Sequence, residues 1–378
     1  MTAGHHSIPP RFEPPPRLLM APGPSAVHPR VLAAMSRPVI GHLDPATMQM
    51  LDDIKSMLRV VFQTENELTF PVSGTGTAGM ECALLNVIEP GDLAVVVVSG
   101  AFAERMREIA IRCGAQVETV GGRWAEPVSA QEIAAVLKRH PEAKLVSVVH
   151  AETSTGLLQP IEEIGEVCRS RGALLVVDAV ASLGGIPVDV DGWGIDVCYS
   201  GSQKCLSAPP GLAPITFSPR AVSVREQRSG PARSFYLDAL FIWKYLGTER
   251  VYHHTAPISM LYALHEALRI VLEEGLEARW RRHDEIGAEA LAALEDRGFR
   301  PVPPPGYRLP QVICVSLPDA IVDEKVARTR LREEFGIEVA GGLGEFDGKV
   351  WRLGVMGESC NRDYVKALLA AIDQIIGV

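Results

Sequence analysis

Short apolar runs with helix-like segments between them are the feature that most restricts how this chain of 378 residues can fold. Each run has the length of a strand, and several are apolar at every position, as strands buried on both faces are. The runs are Leu93–Val98, Lys144–Val149, Ala173–Val177, Asp196–Tyr199 and Ala213–Phe217, and the amphipathic segments are Ala103–Cys113, Ala130–His140 and Ile161–Arg171. This alternation predicts an α/β fold with a mostly parallel sheet.

The pattern changes after about residue 255, and the change predicts a second domain. One long helix is expected from Ile258 to about Ala292, followed by a proline-rich loop. The segments after it fit a smaller α+β domain, with strands at Val312–Ser316 and Lys349–Leu353 and helices at Glu324–Phe335 and Arg362–Ile376. We therefore predict an extended N-terminal arm over residues 1–18, where repeated prolines exclude a helix, a large domain over 19–275 and a small domain over 276–378.

Composition narrows the class of partner and the compartment. A formal net charge of -9 argues against nucleic acid or an anionic membrane as the main partner. The seven cysteines form no CxxC pair and their number is odd, which argues against a disulfide framework or a zinc site and favours a reducing compartment. The longest apolar run, Leu93–Val98, is too short to span a bilayer, and residues 1–16 lack an apolar leader segment. We expect a cytoplasmic protein without a metal.

One acid and one lysine are expected at the same edge of the sheet. Asp178 directly follows the strand Ala173–Val177, and Lys204 follows the next strand after a Ser-Gly-Ser-Gln turn. Ligands of open α/β sheets bind at the carboxyl ends of the strands. A pyridine cofactor needs such a pair, because an acid keeps the ring nitrogen protonated and a lysine forms the Schiff base. Taken alone, Asp178 could be a helix cap and Lys204 a surface charge, but together they favour the cofactor.

Two polar loops add candidate binding groups. Thr75, Gly76 and Thr77 precede a helix-forming stretch, where backbone N–H groups and hydroxyls make an anion site, although a flexible glycine turn is the alternative. The loop His150–Gly156 follows a strand and can present a hydroxyl to a cofactor oxygen. His150 and Glu152 are expected to make structural hydrogen bonds and not to act as an acid/base pair.

Adjacent histidines at positions 253 and 254 raise the question of a metal site. We expect His253 and His254 to lie on an extended strand, where neighbouring side chains point to opposite faces. No third ligand is evident nearby in the sequence, so that a metal site is not predicted.

Several longer segments of the chain resemble class V aminotransferases of the fold-type I pyridoxal phosphate enzymes, in the alanine–glyoxylate and serine–pyruvate or serine–glyoxylate branch. The resemblance extends over nearly the whole chain, and YSGSQK together with an upstream VDAVASLGG is its most specific part. The segments are APGPS (21–25), SGTGTAGMECALLNVIEPGD (73–92), HAETSTGLLQP (150–160), LLVVDAVASLGG (174–185), YSGSQKCLSAPPG (199–211), SFYLD (234–238), VYHHTAPISMLYAL (251–264), GIEVAGGLG (336–344) and GKVWRLGVMG (348–357). The resemblance implies a mostly parallel seven-stranded sheet in the large domain, a smaller α+β C-terminal domain and pyridoxal 5'-phosphate as cofactor.

The resemblance also implies roles for single residues on the cofactor side. Lys204 matches the Schiff-base lysine and Asp178 the partner of the ring nitrogen. Phe102 stands where the family stacks an aromatic ring on the cofactor, and Thr153 where a hydroxyl contacts the phenolate oxygen. The remaining matches form the phosphate cradle and are Thr75, Gly76, Thr77 and Gln203.

Other matching positions concern the substrate and a second subunit. Tyr252 and Thr255 match residues that reach the phosphate of the partner subunit, so that a homodimer is expected to complete the active sites. Arg352 matches the arginine that binds the substrate carboxylate, for which the planar guanidinium is suited. His42 lies on the substrate side. A surface ion pair for Arg352 and simple interface packing for Tyr252 are the alternatives.

The resemblance implies a ping-pong transaminase that moves an amino group from alanine or serine to glyoxylate or pyruvate. The (S)-ureidoglycine–glyoxylate branch is the alternative, but that branch tends to carry Gln in place of His42 and Asn in place of Tyr252. A cysteine desulfurase-like sulfur-lyase is more distant, because it needs a mobile cysteine and only Cys314 and Cys360 lie in the small domain. A non-catalytic binding protein with the same fold is disfavoured by the joint presence of the lysine, the acid and the arginine.

Overall fold

The computed structural model describes residues 8–377, so that the first seven residues of the predicted arm lie outside the described residues. Residues 8–17 contain no helix or strand. The strands are β1 Leu18–Leu19, β2 Leu68–Ser73, β3 Leu93–Val98, β4 Gln116–Gly121, β5 Leu145–Val149, β6 Ala151–Glu152, β7 Leu157–Leu158, β8 Leu174–Asp178, β9 Val197–Tyr199, β10 Leu212–Phe217, β11 Arg300–Pro301, β12 Val312–Ser316, β13 Ile337–Glu338, β14 Ala340–Gly341 and β15 Val350–Gly354. The helices are α1 Pro29–Met35, α2 Pro45–Phe62, α3 Gly76–Val87, α4 Ala101–Arg112, α5 Ala130–Arg139, α6 Glu162–Arg171, α7 Pro219–Glu226, α8 Ala239–Leu246, α9 Ile258–Glu274, α10 Leu276–Glu295, α11 Glu324–Glu334 and α12 Arg362–Ile376.

Seven strands form the central sheet, in the order β2-β10-β9-β8-β5-β3-β4. Strand β10 is antiparallel to both of its neighbours, and the other pairs in the sheet are parallel. Six strands therefore end at one edge, since β2 runs in the same direction as β9. The prediction of an α/β fold with a mostly parallel, seven-stranded sheet is confirmed.

Apolar composition explains why the central strands are buried. Every residue of β5, β8 and β10 is buried, and in β3 only Leu93 is partly exposed. Helix α3 packs on β9 and β10, and α4 packs on β3. Strands that are covered on both faces do not alternate between apolar and polar residues, which agrees with the continuous apolar runs in the sequence.

A second, smaller sheet follows α10 and has its own hydrophobic cluster. Its order is β11-β12-β15-β14, and all its pairs are antiparallel. Trp351 and Phe299 are fully buried in this cluster, and their rings are 5.7 Å apart. Strand β1 pairs in parallel with β13 in a separate two-stranded sheet, and the following Met20 belongs to the same hydrophobic cluster as Trp351. Two clusters support two domains, and the boundaries at residues 18 and 275 remain a prediction.

The predicted helix from Ile258 to Ala292 is wrong as a single element. Helix α9 ends at Glu274 and α10 begins at Leu276, with Gly275 between them. Gly275 has a φ of +83°, a left-handed conformation that glycine adopts without a steric penalty and that ends a helix. The helical segment is therefore interrupted at the predicted domain boundary. Among the described residues, no helix has both the length and the apolar character that crossing a membrane requires.

Gly165 in α6 gives a test of this packing. An ideal Cβ at this position would lie 1.8 Å from the backbone oxygen of Trp193. We expect Gly165→Ala to lower the free energy of unfolding by about 1–3 kcal/mol, because the backbone must shift to relieve the clash, despite alanine's better helix propensity. Thermal unfolding measures the loss.

Gly230→Ala is the matched control, since a Cβ there meets nothing within 4 Å. It should unfold at the temperature of the unsubstituted protein. Equal unfolding temperatures for both variants would contradict the close approach of α6 to Trp193.

Candidate active site

A cavity of about 270 Å³ opens at the edge of the large sheet where the parallel strands end. Its walls come from the ends of β8 and β5, the starts of α3 and α4, and the loop after β9. The cavity is lined by Thr75, Gly76, Thr77, Met80, Phe102, Arg105, Val149, Ala151, Thr153, Asp178, Val180, Ala181, Gln203 and Lys204. Eight residues predicted from the sequence thus come together around one space.

Asp178, the last residue of β8, is 3% exposed and has a donor on each carboxylate oxygen. The backbone N–H of Val180 donates to Oδ1 over 2.8 Å, and the hydroxyl of Tyr199 donates to Oδ2 over 2.8 Å. Burial raises the pKa of Asp178 to about 6, and the two donors counteract this rise. At neutral pH the carboxylate is therefore mostly ionised and can hold a proton on a bound nitrogen base.

Lys204 lies in the loop after β9, and its side chain reaches back toward residues 22–23. Its Nζ donates to the backbone oxygen of Pro22, and the hydroxyl of Ser25 donates to the Lys204 oxygen over 2.7 Å. A Cβ on Gly23 would lie 2.4 Å from Nζ, so that only glycine leaves room for the amine. Burial lowers the pKa of the Lys204 ammonium to about 8. A larger fraction of neutral amine is therefore available near neutral pH than for an exposed lysine.

The start of α3 forms a cradle for an anion. Gly76 and Thr77 are its first residues, and their N–H groups have no carbonyl partner within the helix. The Thr75 side chain does not cap this helix, and Gln203 Oε1 is buried without a hydrogen-bond partner among residues 8–377. The free backbone N–H groups, the threonine hydroxyls and the helix N-terminus fit a phosphate group.

Arg105 adds a cation to this cradle that sequence reasoning missed. Its Nη1 donates to Thr77 Oγ1 over 3.2 Å, and its guanidinium lies 4.8 Å from the centroid of the Phe102 ring. Arg105 is three positions after Phe102 on α4, so that helical spacing puts both side chains on one face. This spacing is a signal in the sequence that could have identified it.

Glu152 fixes the start of α4 and with it the position of Phe102. Its fully buried carboxyl accepts from the Ala103 N–H at 3.2 Å and from the Ser154 hydroxyl at 2.6 Å. Burial raises its pKa. For His150 the expectation of structural hydrogen bonds is wrong: its Nδ1 is buried without a partner among residues 8–377. Its ring lies 5.4 Å from that of Trp193, and burial lowers its pKa to about 4. The geometry of Glu152 is thus one of structural hydrogen bonding.

Arg352, in the middle of β15, connects the small domain to the cavity. It is 8% exposed, its Nε donates to the Gly341 oxygen over 2.8 Å, and its Nη1 donates to the Thr153 oxygen over 3.0 Å. Within residues 8–377 it forms no ion pair with a carboxylate. A buried guanidinium that retains unused donors beside Thr153 can bind a carboxylate from a ligand.

His42, Tyr252 and Thr255 do not line the lysine cavity. The rings of His42 and Tyr252 are 5.2 Å apart, and the hydroxyls of Tyr252 and Thr255 are 3.3 Å apart. Tyr252 is 55% exposed. These three predicted residues form a separate group at the surface of the described chain.

The expectation that His253 and His254 lie on a strand and point to opposite faces is wrong. Neither residue lies in a strand, and their Nδ1 atoms are 2.8 Å apart. The Phe235 carbonyl can only accept, so His253 Nε2 donates to it. When both rings are neutral, His254 Nδ1 then donates to His253 Nδ1, and Ser73 donates to His254 Nε2. Burial lowers the pKa of His254 to about 4, which favours the neutral form of that ring near neutral pH. No group of three potential metal ligands occurs in the described part of the protein.

Comparison with known proteins agrees with this geometry. The model of the aminotransferase class-V family matches residues 20–345. The (S)-ureidoglycine–glyoxylate transaminase of Bacillus subtilis (strain 168) is 41% identical over 95% of this chain and 90% of that protein, and the alanine–glyoxylate aminotransferase of Callithrix jacchus is 41% identical over 96% and 88%. The crystal structure of alanine–glyoxylate aminotransferase from Nostoc sp. is 46% identical, with a TM-score of 0.97 over 100% of this chain and 99% of that one. The chain therefore belongs to the class-V aminotransferase family and is a pyridoxal phosphate-dependent transaminase.

Proposed function

We propose that this transaminase moves the amino group of alanine or serine to glyoxylate or pyruvate by a ping-pong mechanism. The observation that carries the proposal is Arg352, a buried guanidinium that has no carboxylate partner within residues 8–377 and bonds to Thr153 at the rim of the cavity. Two relatives that are named for glyoxylate transamination, at 41% identity each, support the acceptor.

The residues around the cavity fit pyridoxal phosphate. The chemistry that this group supplies when bound is a protonated ring that withdraws negative charge from the carbon that loses its proton. Gln203, Thr75, Thr77 and the N–H groups at the start of α3 would hold its phosphate, and Phe102 would cover its ring. Lys204 would supply the amine that binds the aldehyde carbon.

Proton movement would be divided between two side chains. The Lys204 amine, with a pKa lowered to about 8, would take the proton from the substrate's α carbon and deliver it to the carbon that comes from the cofactor's aldehyde, across the amino nitrogen. Asp178 would keep its carboxylate at the ring nitrogen and hold the proton there. Arg352 would bind the substrate carboxylate through both oxygens and so orient the α carbon toward Nζ.

The separate group of His42, Tyr252 and Thr255 supports a homodimer in which each subunit completes the other's site. These residues lie outside the lysine cavity of their own chain, and apolar side chains around them are exposed, including those of Phe235 and Tyr236. Such a patch is typical of a subunit interface. Tyr252 and Thr255 would then reach the phosphate in the partner's cavity.

(S)-Ureidoglycine as donor remains the second candidate, because a transaminase named for it is 41% identical over 95% of this chain. The pair His42–Tyr252 argues for the smaller donors, since the resemblance assigns Gln and Asn to these positions in the ureidoglycine branch. Sulfur-lyase activity is disfavoured, because Cys314 and Cys360 are buried and burial raises the pKa of their thiols to about 12 and about 11. Seven free, buried cysteines support a cytoplasmic location.

Substrate choice is tested by mixing the loaded enzyme with alanine, serine, glycine, aminoethylphosphonate or ureidoglycine and following the cofactor's absorbance through the first half-reaction. We expect alanine or serine to react fastest. Arg352→Gln should weaken the apparent binding of these donors at least about tenfold, because a charged hydrogen bond is lost. A faster reaction with ureidoglycine than with either amino acid would contradict the proposed donor.

Lys204→Ala should abolish transamination, because no other amine lines the cavity in the described structure. Borohydride reduction of the loaded protein followed by mass spectrometry should find the cofactor on the peptide that contains Lys204 and should find none in the variant. Lys138→Ala removes an exposed lysine on α5 and is the control, with unchanged activity and labelling. Full activity in Lys204→Ala would exclude the scheme.

Asp178→Asn keeps the shape of the side chain and removes its charge. We expect turnover to fall by about 10²–10⁴-fold while the cofactor still binds. In the unsubstituted protein, cofactor affinity should fall as the pH drops through about 6, since the free carboxyl then gains a proton. That fall should be absent in Asp178→Asn, and titrations of both apoproteins over this pH range measure it. A normal rate in the variant would remove the role of Asp178.

A further inference from the structure

Tyr199 is a fully buried residue at the end of β9 to which the proposed mechanism gives no role. We propose that Tyr199 is a positioning residue whose hydroxyl holds Asp178 Oδ2, so that the carboxylate stays ionised and faces the ring nitrogen of the cofactor. The inference rests on the proposed function, because it assigns Tyr199 to the support of the acid in that site.

Strand register brings the two side chains together. Asp178 and Tyr199 are paired in the parallel β8–β9 ladder, so that their side chains project from the same face of the sheet. The hydroxyl lies 2.8 Å from Oδ2, and the Val180 N–H lies 2.8 Å from Oδ1. Each oxygen thus has one protein donor, and the acceptor capacity that remains is directed to the cavity that Asp178 lines.

Packing holds the ring of Tyr199 in place, and its hydroxyl forms a hydrogen bond with Asp178. A Cβ at Gly79 would lie 3.3 Å from the ring, at Cδ2, so that α3 packs closely on the ring. A buried hydroxyl needs a hydrogen-bond partner, and among the described residues Asp178 is the one that this hydroxyl has. Burial and the nearby carboxylate raise the pKa of Tyr199 well above its usual value, so that the hydroxyl keeps its proton and donates it.

The groups around Asp178 explain why the Tyr199 hydroxyl affects the pKa of this carboxyl. Burial is the main cause that raises the pKa of Asp178, and Glu152 raises it further, whereas Lys204 and the Tyr199 hydroxyl lower it. Other neighbours are neutral: burial raises the pKa of Cys198 on β9 well above its usual value, and His150, whose backbone N–H bonds to the Asp178 oxygen, has a lowered pKa. Loss of the hydroxyl therefore raises the pKa of Asp178 toward neutrality, where a protonated carboxyl no longer holds a proton on the ring.

The test is Tyr199→Phe, which removes the hydroxyl and keeps the ring. The apoprotein is titrated with pyridoxal phosphate and, separately, with its deaza analogue, in which CH replaces the ring nitrogen. At about pH 7 we expect the variant to bind pyridoxal phosphate about tenfold more weakly, since a hydrogen bond to a charged group is lost, and to bind the analogue unchanged. The pH below which pyridoxal phosphate affinity falls should move upward by about one unit.

Thr69→Val is the matched control, because it removes another buried hydroxyl of the same sheet, which bonds to that of Thr216 over 2.7 Å. It should lower the unfolding temperature and change neither affinity. In the Asp178→Asn background, Tyr199→Phe should leave pyridoxal phosphate affinity unchanged, which tests the coupling even where the single variant is less stable.

The inference would be overturned if Tyr199→Phe weakened the binding of pyridoxal phosphate and of its deaza analogue equally, or weakened the binding of neither. The tyrosine would then act through packing or not at all. A Tyr199→Phe effect that persists in Asp178→Asn would overturn it as well. Failure of the unsubstituted protein to bind pyridoxal phosphate at Lys204 is a different result, which contradicts the proposed function itself.

Discussion

A carboxylate buried at the edge of a parallel sheet is the constraint on which the arrangement of this site depends. Burying a charge is costly unless donors surround it, and Asp178 finds its donors in the Val180 N–H and the Tyr199 hydroxyl. Both are available because β8 and β9 are adjacent and parallel, in a register that pairs Asp178 with Tyr199. The same adjacency brings the loop after β9, and therefore Lys204, to the cavity. Strand order thus determines the distance between acid and amine.

The sequence predicted the strands whose burial leaves a clear pattern. The run Leu93–Val98 is apolar throughout and forms β3 with those bounds. Strand β4 was missed because it lies at the edge of the sheet, where Gln116 and Thr119 are exposed and its polar residues look like a loop. Strand β2 was missed as well, and Pro71 within it disguises the pattern. The break at Gly275 could not be read from amphipathic spacing, because apolar residues continue on both sides of it.

Some residues of the site could be predicted from local sequence patterns, and others depend on contacts between distant parts of the chain. Asp178 and Lys204 could be found because Asp178 ends an apolar strand, Lys204 follows the next one, and YSGSQK is specific. The supporting contacts could not, since Glu152 meets the Ala103 N–H and Arg352 meets the Thr153 oxygen only through tertiary packing. The histidine pair was misread for the same reason: Ser73 and Phe235, far apart in sequence, fix both rings. Local rules give the direction of a side chain only where the backbone conformation is regular.

The segment that carries Pro22 and Gly23 behaves as a tether between the two domains. On one side, Leu18 and Leu19 pair with β13, and the Gly354 N–H donates to the Met20 oxygen over 2.7 Å. On the other side, a few residues later, the Pro22 oxygen accepts from the Lys204 ammonium. So few residues cannot stretch appreciably. A rotation of the small domain away from the large one must therefore either break the β1–β13 ladder or draw the Pro22 carbonyl away from the Lys204 amine. In the second case, the hydrogen bonding of Lys204 changes with the separation of the domains.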